Sequence, residues 1–105
     1  PPVVLPAATP PPTRAEQLAA ELRWIDGAEA KLRADDPATA LRMLDRHAAQ
    51  FPTGLLAPDR RLARAHALCK LGRDDEARAE VKACVSRNPE LARHPRARAG
   101  CSGAG

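Results

Sequence analysis

"ATALRMLDRHAAQFP", residues 38–52, decides the fold, because the chain says nearly the same thing again in "DEARAEVKACVSRNP", residues 75–89. Ala40 is answered by Ala77, Leu44 by Val81 and Pro52 by Pro89, each 37 positions later. In both stretches apolar side chains recur at steps of three and four, the spacing of one face of a helix, and a proline ends the run. A hydrophobic pattern repeated at a fixed period of this order marks stacked supersecondary units.

Working outward, each such helix needs a partner before it. Thr13 can cap a first helix, with Glu16 three residues on completing a capping box. Leu18, Leu22, Ile25, Ala28 and Leu32 then form one apolar stripe, and the helix is expected to end near Arg33 or Ala34. Asp36 followed by Pro37 opens helix two, with Ala40, Leu41, Leu44, Ala48 and Phe51 facing inward. Pro52, Thr53 and Gly54 break it. Pro58 and Asp59 start helix three, whose inner residues are Leu62, Ala65, Leu68 and Cys69, and Gly72 is placed as its left-handed terminator. Asp74, Asp75 and Glu76 put negative charge at the start of helix four, where the dipole favours it. That helix buries Ala77, Val81, Cys84 and Val85 and ends at Asn88 and Pro89. Pro58 follows Pro52 by six residues and Pro95 follows Pro89 by six, so a third unit begins, giving a short capping helix from Pro95 to about Ala99.

The expected fold class is therefore all-α, two antiparallel helical hairpins with a short C-terminal capping helix. Composition agrees: alanine and leucine dominate the apolar set and aromatics are 2%, which favours helices over strands. The opening "PPVVLPAATPPP" cannot lie inside a helix and reads as a disordered, Pro-rich linker. The expected organisation is linker 1–12, helical domain 13–100 and flexible tail 101–105. Because the sequence opens on Pro1, a preceding segment is expected.

At 105 residues a chain buries only about 60–70% of the surface its unfolded form exposes, so no large enzyme core is expected. No run reaches the about 18 apolar residues of a membrane span. The net charge of +4 is uneven: residues 13–52 are nearly balanced, and the excess comes from Arg60, Arg61 and Arg64, then Arg87, Arg93, Arg96 and Arg98. A basic nucleic-acid binder is the alternative this raises, but aromatic interleaving and a recognition helix are missing, so nucleic acid is an unlikely partner.

Cys69, Cys84 and Cys101 have neither CxxC nor zinc-finger spacing. Cys84 shares a face with Val81 and Val85 and reads as a small core residue. A tail that folds back along helices three and four would bring Cys101 to Cys69, closing a loop of about 30 residues worth roughly 3 kcal/mol in an oxidising compartment. His47 is expected half-buried, His66 exposed and His94 in a loop, with no acid beside them in a metal-site pattern. Neither a metal nor another cofactor is expected, and no Ser/His/Asp set or phosphate loop can be assembled, so the chain is not read as an enzyme.

These residues resemble a tetratricopeptide-type (TPR) helical repeat, in which a small residue, a bulky apolar residue four on and a proline twelve on mark the second helix of each unit. Trp24 and Ala28, and then Ala65, Leu68 and Gly72, match first-helix positions; Arg61 and Lys31 depart from the usual tryptophan and tyrosine. The resemblance implies a right-handed stack with an inner surface supplied by helices one and three. By position its candidate partner-binding residues are Asp26, Glu29, Arg33, Ala63, His66 and Lys70, for an unidentified protein partner. The longer spacing is similar to that of helical repeats in bacterial envelope proteins. Leu41, His47, Phe51, Gly54, Leu71, Arg73 and Cys101 also resemble C-terminal modules of membrane-anchored proteins from GC-rich bacteria. That implies a periplasmic or cell-envelope interaction or scaffold module, with the cytoplasm as the alternative and membrane contact only through an anchor upstream of Pro1.

Overall fold

The structure, a computed structural model, describes Pro2, residues 10–99 and Cys101. The expected disordered linker, apart from Pro2 and residues 10–12, and the expected flexible tail beyond Cys101 lie outside the described residues. The rest is all-helical: α1 (Arg14–Arg33), α2 (Pro37–Gln50), α3 (Ala57–Lys70), α4 (Asp74–Arg87), a 3-10 turn (Pro89–Arg93) and α5 (Pro95–Ala99).

Local chemistry sets the boundaries. Thr13 Oγ1 accepts from the Glu16 amide at 3.1 Å and donates to the Glu16 carboxylate at 3.0 Å, so one of the orphan donors in the first turn of α1 is satisfied. Asp36 caps α2 by accepting from the Thr39 amide, with Pro37 behind it. No side chain caps α3 or α4; Pro58 and Asp59 occupy the first turn of α3, and Asp74, Asp75 and Glu76 that of α4.

The two hairpins are joined internally by the same turn. After α1, Asp35 donates to the Leu32 carbonyl and Asp36 to that of Lys31; after α3, Gly72 donates to Cys69 and Arg73 to Leu68. Both are Schellman closures, which need a left-handed residue. Asp35 supplies it at φ 59° and Gly72, 37 positions on, at φ 76°. The second helices also end alike, Phe51 at φ −131°, ψ 66° and Asn88 at φ −133°, ψ 76°.

Alanine lets the helices approach. Ala28, Ala40, Ala63 and Ala67 are all 0% exposed, and around them Ile25, Leu32, Leu41, Leu44 and Leu68 form one core shared by α1, α2 and α3. α1 packs on α2, α2 on α3 and α3 on α4, while α5 and the 3-10 turn close the far end. Two members of the expected stripe are out of place: Leu18 and Leu22 are exposed, and Leu22 borders an open cavity beside α3 rather than the packed core. The 3-10 turn was not anticipated; Pro89 deprives the segment of an amide donor and only five residues precede His94. No described helix is long and apolar enough to cross a membrane.

Candidate functional site

Three features could carry function: the inner surface of α1 and α3, a buried polar cluster at the junction of the hairpins, and an open groove at the end of the stack.

On the inner surface, Asp26 and Glu29 border a cavity of about 330 Å³ with Leu22, Leu62 and Arg96. Glu29 is not free: Arg96 of α5 grips it with two hydrogen bonds of 2.5 and 2.6 Å. The Arg96 guanidinium, by hydrogen bond and charge, holds the Glu29 carboxyl below its ordinary range despite partial burial. Ala63, expected to be exposed there, is fully buried, since a methyl group at that position fills the space beneath neighbouring helices. His66 is half-buried rather than exposed. Burial first, then the charges of Arg96 and Lys70, lower its basicity. Lys70 reaches Asp35 at 3.5 Å across the hairpin end, and Arg33 is exposed. The expected surface is thus brought together only around Asp26 and Glu29, and α5 closes on it.

The second feature was missed at the level of sequence. Glu21, on α1, is completely buried. One of its carboxylate oxygens accepts from His47 Nε2 and the Leu56 amide, both at 3.0 Å; the other accepts from Gln17 Nε2 at 3.0 Å and the Leu55 amide at 2.9 Å. Desolvation works against its charge, yet the two amides, Gln17 and His47 outweigh it, and the carboxyl titrates below its ordinary value. His47, expected to be half-buried, is also 0% exposed. Its Nδ1 receives Arg60 Nη1 at 3.3 Å, and Arg60 also donates to the Phe51 carbonyl at 3.2 Å. A lone pair must face Arg60, so the proton is on Nε2 and the ring is neutral. Burial first, and the Arg60 charge after it, keep its pKa low against the pull of Glu21.

This cluster fastens α1, α2, the 51–56 connection and α3. No atom of the Glu21 carboxylate is left for a ligand, and the group is sealed from solvent. A Cβ at Gly54 would run into the Glu21 carboxylate and come within 2.9 Å of Phe51 Cβ, so glycine is needed for the connection to pass this close. The signal was present: Gln17 and Glu21 are one helical turn apart, and Glu21 stands four residues before Ile25, on the apolar stripe itself.

The third feature lies between α3, α4 and α5, an open groove of about 680 Å³. Ala65, Val81, Val85 and Ala97 line it, and one wall holds the Cys69–Cys101 bridge, with Cα atoms 5.0 Å apart. His66, Arg78, Lys82, Arg96 and Arg98 also border it. Cys84 is buried nearby and free, with its thiol pushed up by burial, which leaves it unreactive. Among the described residues no group of three or more His, Cys, Asp or Glu is placed to hold a metal.

Comparison of the chain with known family profiles, curated proteins and solved structures finds no match in any of the three.

Proposed function

We propose that this chain is a non-catalytic interaction or scaffold module built from TPR-like helical pairs, and that it works as the extracytoplasmic part of a membrane-anchored bacterial protein. The observation that carries the interaction reading is a difference between equivalent faces of the two hairpins. On α2, Leu44 is 0% exposed because α3 lies over it. On α4 the equivalent Val81, and Val85 beside it, are only half-buried and line an open groove. An uncovered flank of a repeat stack is a ready surface for another chain. The titratable residues with unusual environments, Glu21, His47 and Arg60, are consumed by one another and by backbone groups, an arrangement suited to holding two hairpins together. The Cys69–Cys101 bridge supports the compartment, since such links persist outside reducing cytosol.

The test is photo-cross-linking in the native cell with a benzophenone side chain placed singly at Val85 on α4, Asp26 on α1 and Arg33 at the end of α1. Discrete protein adducts from one of these positions are expected. Adducts from none of them would end the interaction reading. Alkylation of free thiols before lysis tests the compartment: Cys84 alone should be labelled after denaturation, and labelling of all three cysteines would overturn it.

A further inference from the structure

The groove at the end of the stack has a shape that the chain's own repeat explains. Pro95 stands 37 positions after Pro58, so α5 begins where a third first-helix should begin. α3, its counterpart, runs for 14 residues, whereas α5 runs for 5. Two residues past its end, Cys101 is tied to Cys69 on α3. α5 packs on α3 and the 3-10 turn, so the face of α4 that a full-length helix would cover lies open along the groove. From Ala77 to Val85, both on the groove wall, an α-helix rises about 12 Å, a little over two turns. The space left open matches a helix of two to three turns.

Its charge is one-sided. Every ionisable residue on the groove is basic or a histidine: His66, Arg78, Lys82, Arg96 and Arg98. Arg96 is engaged by Glu29, and Arg78 by Asp75 on its own helix, while Lys82 and Arg98 make no ion pair among the described residues. Both of these are exposed. An apolar floor with an unneutralised basic rim selects an amphipathic helix whose apolar stripe is flanked by carboxylates. Nucleic acid is disfavoured, because no Phe, Tyr or Trp lines the groove as a platform for bases to stack on. A second copy is disfavoured too, since joining like faces would set the two basic rims against each other.

Resting on the interaction reading above, we propose that the groove between α3, α4 and α5 binds an acidic amphipathic helix of a partner protein, seated on Val81, Val85 and Ala97 and held by Lys82 and Arg98.

Two synthetic 14-residue helical peptides test it against the intact, disulfide-bonded chain. Both carry leucine at i, i+3 and i+7; one has glutamate at the flanking positions and the other lysine. The glutamate peptide should bind at least tenfold more tightly, weaken as salt rises, and shift amide resonances of Val81, Val85 and Ala97. Val85→Glu should abolish binding. The double exchange Lys82→Glu with Arg98→Glu changes only exposed side chains, so it keeps the fold; it should cost tenfold or more with the glutamate peptide and favour the lysine one. Equal binding of the two peptides, binding of neither, shifts centred on Asp26 and Glu29, or self-association lost in Val85→Glu would each overturn the proposal. Peptide failure together with cross-links from Asp26 or Arg33 would leave the interaction reading standing. Peptide failure without cross-links from any position removes both.

Discussion

His47 and Glu21, 26 residues apart in sequence, meet in a 3.0 Å hydrogen bond with both side chains 0% exposed. Behind His47 stands Arg60, 6% exposed, and in front of Glu21 stand the Leu55 and Leu56 amides. A carboxylate, a neutral imidazole and a guanidinium thus form one buried row across the junction of the two hairpins. At the equivalent place in the second hairpin the row is absent: Cys84 replaces His47, 37 positions on, and its thiol faces only the Pro58 carbonyl at 3.7 Å. Burial of charge is tolerated where the buried polar atoms have partners, and among the described residues no buried side-chain nitrogen or oxygen lacks one.

Acid should weaken the fold in two stages. The pKa of His47 is depressed in the folded chain from 6.5, so below that value the unfolded chain takes up a proton that the folded chain refuses. Stability therefore falls as pH drops from about 6.5 towards the folded pKa. Glu21 is depressed from 4.5, so its contribution is complete above that value and is lost as pH falls through its lower folded pKa. Urea midpoints at pH 7.5, 5.5 and 4.0 should decline in that order. His47→Gln should reduce the change between pH 7.5 and 5.5, leaving the part due to His66, which is lowered in the same direction; an unchanged slope in this variant would contradict the assignment.

Two carboxylates that both pair with arginine-bearing networks should behave very differently when removed. Glu21→Ala leaves the Leu55 and Leu56 amides, Gln17 and the buried His47 Nε2 without their acceptor, a loss of about 3–5 kcal/mol, which is a large part of the whole stability of a small domain. Glu29→Ala breaks a pair whose side chains are 25% and 27% exposed, and should cost about 1 kcal/mol or less. Thermal melts of the two variants decide this, and similar melting temperatures would mean that the buried row is not what joins the hairpins.

The contrast also explains what the sequence could disclose. Caps, helix ends and the 37-residue echo are local or periodic, so Thr13, Asp36, Gly72 and the Ala40–Ala77 correspondence are legible from spacing. Pairing of Cys69 with Cys101 follows from folding a tail back along a repeat. Glu21 and His47 are different: a polar residue on an apolar stripe reads as the edge of that stripe, and only the fold reveals that each supplies what the other needs. Leu18 and Leu22 err in the opposite direction, because periodicity finds the stripe but not whether a neighbour covers it. Ala63 looked like surface for the reverse reason, since a small side chain carries little pattern of its own and three dimensions decide its burial.

The two left-handed turn positions offer a cleaner test of backbone energetics. Asp35 and Gly72 occupy equivalent sites at φ 59° and 76°, and only glycine does so without steric cost. Asp35→Gly should raise stability by about 0.5–1 kcal/mol, since its ion pair with Lys70 is 87% exposed on the aspartate side and contributes little. Gly72→Ala should lower stability by about 1 kcal/mol. Gly54→Ala should cost more, because its Cβ would strike the Glu21 carboxylate. Gly27→Ala meets only the tip of the flexible Met43 side chain, so it should be tolerated. Denaturant midpoints for the four variants would show this order, and a harmless Gly54→Ala would mean that the connection shifts away from Glu21.

Removing the bridge tests how α5 is held. The Cys69–Cys101 link spans 32 residues, and by loop-closure entropy it contributes roughly 3–4 kcal/mol. Yet α5 also holds Glu29 through Arg96, so loss of the bridge should loosen the helix rather than release it at once. Cys101→Ser is expected to lower the unfolding free energy and make it insensitive to reductant, with hydrogen exchange rising first over residues 95–99. Cys84→Ser should leave the reductant effect intact, since that thiol is buried outside the bridge. If Cys101→Ser instead speeds exchange uniformly from α1 to α5, the bridge supports the whole stack, and α5 is an integral layer of it instead of a detachable wall of the groove.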